Sequence, residues 1–488
     1  MRVTGVLVAL YALLFAILGV ALWTVPDQAA ARLGVEVSGL LGLATVRADL
    51  GGLFVGLAGL GLAGLIRGSR LLVLAAAGVL AAIVAGRLIG WAATGALSPV
   101  PLAVELVAVA VLVLHARGLA RPARPGRALL ILAAASVALS ACAGLMTLPG
   151  VEHAILAQGS RHAVGRDNSA LLSGDALRVA ICGSSAPLPS PGRAKACVAV
   201  MAGGKFYIVD AGPESVETLM QWGLPLGRIA GALITHFHSD HIGDLGELNL
   251  QTWAAGRPQP LPVYGGPGVE GLVAGFDQAY ALDQVYRTAH HGPKLMNPVT
   301  WPLVARTVIL PGPATPAKSR TALVLDDGAM RITAIEVDHG PIEPAYAYRF
   351  DYRGRSVVIT GDTKAHAPLV AASRGADVLI SEALNRPMIR TLETQARAAH
   401  KPGLQAIMHD IQDYHVSPVE AAGMGNGAGV KLLVFYHLLP APDNWLARRM
   451  FARGVSQARR GDWDISSDGS LYTMPVGSKE VRIGHVQR

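Results

Sequence analysis

Thr235-His236-Phe237-His238-Ser239-Asp240-His241 packs three imidazoles and a carboxylate into a few consecutive positions. Such a run is too polar for a core, where an unpaired polar or charged group is costly, and too ordered for a solvated face. Ala230-Gly231-Ala232-Leu233-Ile234-Thr235 before it reads as a buried strand. The run therefore falls on the loop at a strand's carboxyl end, where open α/β sheets place their chemistry. His236 and His238, two apart on extended backbone, point the same way and can grip one ion. Asp240 and His241, adjacent on the following turn, diverge towards a second. Neutral imidazole and carboxylate suit zinc or a similar divalent metal.

The spacing His-x-His-x-Asp-His, here His236, His238, Asp240 and His241, resembles the signature of metallo-β-lactamase-fold hydrolases. Further motifs extend the resemblance in order along the chain. Val337-Asp338-His339-Gly340 follows an alternating strand over 331–337, Val357-Val358-Ile359-Thr360-Gly361-Asp362-Thr363 resembles the family's Gly-Asp-Thr, and Lys431-Leu432-Leu433-Val434-Phe435-Tyr436-His437 ends another apolar strand. The resemblance implies an αββα domain holding two divalent ions, most readily Zn2+. His236, His238 and His339 would hold the first, and Asp240, His241 and His437 the second, with Asp362 bridging both. Asp210, in Ile208-Val209-Asp210-Ala211-Gly212, resembles the family aspartate that orients metal ligands from behind. Gly183-Ser184-Ser185-Ala186-Pro187 is similar to the opening loop of the branch that includes the tRNA 3′-end nuclease and certain arylsulfatases. His415 resembles that branch's His-Ser/Thr histidine, which faces the metals beside a glutamate, here Glu382. Val416 and Ser381 depart from the nuclease pattern. The resemblance assigns Asp240 the orientation of the attacking water besides metal binding, and His415 the protonation of the leaving oxygen.

The composition describes a second part. The chain has 488 residues, 51% of them hydrophobic, and a mean hydropathy of +0.40, too apolar for an ordinary soluble enzyme. The excess lies before residue 150. Residues 3–23, 50–66, 71–91, roughly 97–114 and 128–148 read as five candidate membrane spans. Arg2, Arg67, Arg70, Arg117, Arg121, Arg124 and Arg127 fall on one side if the spans alternate. The positive-inside bias then puts the amino terminus in the cytoplasm and everything after 148 outside, in a bacterial periplasm. Residues 1–118 resemble a bacterial four-helix membrane family through Val46-Arg47-Ala48-Asp49-Leu50-Gly51-Gly52, Gly86-Arg87-Leu88 and Glu105-Leu106. That family lends no activity. Arg47, Asp49, Arg87 and Glu105 are expected near the outer helix ends as an ion cluster, since ionisable groups at membrane depth pair. The stretch 119–150 is either a fifth span or a lipoprotein-type signal anchor, because Leu139-Ser140-Ala141-Cys142 matches a processing box.

Residues 151–488 read as the hydrolase domain. Within it, 152–175 reads as an irregular lead-in, 281–316 as a loop insertion over the active site bearing His290 and His291, and 463–475 as a closing hairpin. Cys182 and Cys197 either pair across neighbouring strands or stay free thiols. The expected function is hydrolysis of a phosphodiester, sulfate or carboxylic ester by a membrane-anchored, outward-facing dinuclear enzyme. The expected partner is a small-molecule ester rather than nucleic acid: much of the +8 net charge lies in the membrane loops, and no stretch resembles the nuclease's tRNA-gripping arm. The alternatives are a metal-binding sensor or scaffold coupled to the bundle, and a mononuclear iron, oxygen-using member of the fold. The sequence says nothing of oligomeric state.

Overall fold

The computed structural model describes residues 2–33, 35, 39–94, 99–119, 149–312 and 319–487. They divide into two compact units, 1–158 and 159–488.

Among the described residues of the first unit, four helices are long and apolar enough to cross a membrane: Val3–Thr24, Gly42–Arg67, Arg70–Ile89 and Pro99–Arg117. Phe15, Phe54, Leu57, Val73, Leu80 and Leu112 form their shared interior. Leu13, Ile17, Leu71, Ile89 and Val107 point outward in the open, an arrangement that suits lipid and not water. The expected ion cluster is smaller than the sequence suggested. Arg87 Nε meets both carboxylate oxygens of buried Glu105 at 2.8 Å, but Arg47 Nε donates instead to the Trp23 carbonyl at 3.1 Å, and Asp49 is exposed. The fifth span and Cys142 lie outside the described residues.

The second unit is a four-layer αββα sandwich. In chain order its strands are β1 (Ala176–Gly183), β2 (Cys197–Ala202), β3 (Lys205–Val209), β4 (Ile229–Leu233), β5 (Leu261–Gly265), β6 (Leu303–Thr307), β7 (Thr321–Asp326), β8 (Met330–Glu336), β9 (Tyr346–Tyr352), β10 (Arg355–Ile359), β11 (Val378–Leu384), β12 (Leu432–Leu439), β13 (Asp462–Ile465), β14 (Ser470–Pro475) and β15 (Arg482–His485). One sheet runs β15-β14-β1-β2-β3-β4-β5-β6 and the other β13-β12-β11-β10-β9-β8-β7. Strand alternation sorts the side chains: Val357 and Ile359 join Val179, Val200, Phe350 and Val434 between the sheets. Val358 faces the other way, into the layer with Leu379, Leu433 and Phe451. Trp222, Leu219 and Leu248 pack helices on the far side of the first sheet. Gly203 and Gly204, both at positive φ, make the two-residue turn from β2 to β3. Cys182 and Cys197 form a disulfide across β1 and β2.

Three expectations fail here. The first part of the lead-in is a helix, Pro149–Val164, and a short 3-10 turn, Ser169–Leu172, follows it. The supposed loop insertion contains a helix, Ala281–His291, and β6. The closing hairpin does not exist: β13 pairs with β12 in one sheet and β14 with β1 in the other, so the chain crosses between layers at Asp468-Gly469.

Candidate metal centre

Parallel strands β3, β4, β10, β11 and β12 all end on one edge of the sandwich, and the chemistry-bearing residues leave the sheets there. His236, His238, Asp240 and His241 follow β4, with Asp240 and His241 on the short helix Ser239–Ile242. His339 follows β8, and Asp362 follows β10 after Gly361. Gly361 has φ +59°, and a Cβ there would lie 2.9 Å from Thr235 Cβ and from the Tyr346 carbonyl. Only glycine fits that corner.

β12 does not stop at His437, as its sequence suggests, but continues to Leu439. Its pairing with β11 slips so that Glu382 faces Tyr436 and Ala383 faces Leu438. His437 is the extra residue of that bulge, at φ +44°, and the bulge re-aims its ring. Glu382 likewise sits within β11 rather than at its end.

The ligand-type atoms gather into three overlapping groups, each within 4.8 Å: His236, His238, His339 and Asp362; Asp240, His241 and His437; and Asp362, Glu382 and His415. Asp362 Oδ2 is 3.4 Å from His241 Nε2, 3.9 Å from His339 Nε2 and 4.0 Å from His236 Nε2, while Oδ1 is 3.3 Å from His437 Nδ1. It thus stands between the first two groups. His437 Nε2 lies 3.1 Å from Asp240 Oδ2 and 3.2 Å from His241 Nε2. His290 and His291 are exposed at a helix end and belong to none of these groups.

A second layer of contacts fixes the rings. Asp210, itself at φ +60°, accepts from the Thr235 amide at 2.8 Å, the Thr235 hydroxyl at 2.9 Å and His241 Nδ1 at 2.8 Å. That bond leaves His241 Nε2 free to face the cluster. His339 Nδ1 donates to the Tyr414 carbonyl at 3.1 Å, so its Nε2 does the same. Glu382 Oε1 accepts from the Thr363 amide at 3.0 Å and pairs with His415 Nδ1 at 2.9 Å. Thr235 and Tyr414 were not singled out from the sequence. Their only signal is position, each next to a site histidine.

The donors fit a divalent cation. Among the described residues, His339 Nε2, His437 Nδ1, Asp362 Oδ1 and Glu382 Oε2 are buried without a hydrogen-bond partner, an expensive state that a bound ion relieves. Burial holds His236 well below the ordinary imidazole pKa and takes His339 down to about 4, giving the neutral form that metals bind. Burial would also lower His241, but Asp362, Asp210 and Asp240 outweigh it and raise its pKa well above normal. Around that ring the pocket calls for positive charge. Burial pushes Asp240 up, yet His241 and His437 win and hold it at about 2. Burial and then the Asp362 charge push the Glu382 carboxyl well up, while burial lowers His415.

Residues 206–438 match the family model described as the β-lactamase superfamily domain. A ribonuclease Z from Mycolicibacterium paratuberculosis is 33% identical over 290 residues, 57% of this chain and 94% of that protein. The chain belongs to the β-lactamase superfamily. Another ribonuclease Z, from Mycobacterium bovis, is 31% identical over 268 residues, 54% of this chain and 87% of its own length. Among solved structures, the short form of human tRNase Z aligns at 20% identity with a TM-score of 0.43, covering 61% of this chain and 99% of that one.

This member of the superfamily is therefore a metal-dependent hydrolase. The comparison also corrects one expectation: relatives matched over nearly their whole length are named as ribonucleases, which overturns the small-molecule ester and the exclusion of nucleic acid. Neither the location of the net charge in the membrane loops nor a missing arm excludes nucleic acid, because a substrate class is set at the site.

Proposed function

We propose that the chain is a membrane-anchored phosphodiesterase that cuts RNA at a dinuclear, zinc-type centre. The Glu382–His415 pair beside the two histidine groups carries this reading, because it adds a proton-moving device to a ligand cage. Two divalent ions held there would supply Lewis acidity, activating a water and offsetting charge on the attacked phosphate. His236, His238 and His339 would hold one of them and Asp240, His241 and His437 the other, with Asp362 available to both. Asp210 and the Tyr414 carbonyl fix the His241 and His339 tautomers. The Asp240 carboxylate orients the incoming water. His415, with Nδ1 engaged by Glu382, offers Nε2 to protonate the departing oxygen, and the buried Glu382 keeps that ring from rotating away.

The arginine asymmetry of the bundle supports a catalytic domain outside the cytoplasm, and the Cys182–Cys197 disulfide suits an oxidising compartment. The substrate would then be RNA that reaches the outer side of the membrane. The test is a comparison on full-length, metal-loaded protein of a 3′-extended structured RNA, a simple aryl phosphodiester and an aryl carboxylic ester. Cleavage of the RNA and the phosphodiester is expected. Turnover of the carboxylic ester alone would refute the reading.

A further inference from the structure

The helix Ala281–His291 is built inside out. Its half-buried face carries polar side chains: Arg287 Nε meets Asp283 at 2.7 Å, Gln284 donates to Thr288 at 3.1 Å, and the Thr288 hydroxyl donates to the Met296 carbonyl at 3.3 Å. Its outer stripe is apolar, with Leu282 66%, Val285 55% and Tyr286 63% exposed, and no residue of the helix is buried. The segment after it adds Leu295 at 56% and Val299 at 75% exposure. A helix that satisfies its polar groups inward and leaves its apolar stripe in water is made for a partner.

We propose that this helix lies on the surface of an anionic lipid bilayer. The inference rests on the reading that the four apolar helices cross a membrane. That anchor keeps the domain at a bilayer and raises the effective concentration of lipid for even a weak contact. The chemistry agrees: leucine, valine and an amphipathic tyrosine are followed by exposed His290, His291 and Lys294, and the one acidic residue of the helix, Asp283, is neutralised by Arg287 on the inner face. Apolar residues bounded by basic ones and a ring that favours the headgroup level form the pattern of an interfacial helix, buried about 5–10 Å into the headgroup boundary. Such a contact would hold the domain against the membrane in one orientation while the opposite polar face rests on the protein.

The test uses the full chain with Cys142→Ser, reconstituted in phosphatidylcholine vesicles containing phosphatidylglycerol and an acyl-chain nitroxide quencher. Fluorophores are placed singly at Val285→Cys, at Leu13→Cys in the first apolar helix, and at Arg331→Cys on β8. Quenching is expected at 285 and 13 but not at 331. It should be lost at 285 when Leu282→Gln and Tyr286→Gln are added, and weakened without phosphatidylglycerol. Quenching at 13 without quenching at 285 overturns the docking while the anchor stands. No quenching at 13 removes the anchor and the inference with it. Disulfide cross-linking between two 285 positions, or protection of 285 by added RNA, in place of quenching would assign the stripe to a second copy or to substrate and also overturn it. Quenching at 285 that survives the glutamine pair would show the dye inserting by itself, and equal quenching in neutral vesicles would refute the anionic preference.

Discussion

Asp362 touches every part of the cage, standing within 4.0 Å of His236, His241, His339, His415 and His437. Its removal leaves both proposed ion positions short of a ligand, so Asp362→Ala should abolish hydrolysis and lower bound metal in elemental analysis. His415→Ala should slow the chemical step by roughly 10²–10⁴ with metal content intact; loss of metal instead would make His415 a ligand, as its proximity to Asp362 and Glu382 allows. Asp210→Ala leaves the ligands in place but removes the acceptor that sets the His241 tautomer, and should weaken metal affinity about 10–100-fold in a competition titration. The seven ligand candidates were legible through the resemblance of their motifs, taken in order, to the family's, and the structure brings all seven together. Thr235 and Tyr414 were not, since a hydroxyl or a main-chain carbonyl that orients a ring has no residue-type signature.

At the scale of elements, Asp377 ties three strands together: it accepts from Arg355 Nε at 2.9 Å, from the Ser356 amide at 3.0 Å and from Lys431 Nζ at 2.6 Å. Burial pushes its carboxyl up, but the Lys431, Arg355 and Ser356 donors outweigh this and hold the pKa below the usual value. A carboxyl whose folded-state pKa is depressed contributes stability above its unfolded value and loses it as pH falls through the folded one. Asp377→Asn should thus lower Tm at neutral pH, with the gap from wild type starting to close below the unfolded value of 3.8. Gly361→Ala should cost roughly 1–2 kcal/mol from the left-handed backbone alone, and more from the clash with Thr235 and Tyr346, read as a lower melting temperature and weaker metal binding. Strands with a clear period of two were legible to within a residue or two. The bulge that turns His437 inward was not, because an extra residue in a ladder shows only when both strands are paired. The crossing from β13 to β14 was missed for a similar reason: two strands flanking Asp468-Gly469 look like a hairpin until their partners, β12 and β1, are known.

Among the described residues, four membrane-length helices precede a hydrolase sandwich, and composition alone separated the two. Orientation and substrate are not written in that composition. Reporter fusions after residue 150 should be active only outside the cytoplasm; a cytoplasmic signal would reverse the proposed topology and give the enzyme the cell's own RNA. The central claim is that one cage holds two ions that act together on a phosphodiester. Its most direct test is RNA cleavage by full-length, chelator-stripped protein titrated with zinc. The account predicts activity that rises with added metal and saturates at about two equivalents per chain. Saturation at one equivalent, or a fully metallated protein that leaves RNA uncut, would contradict it.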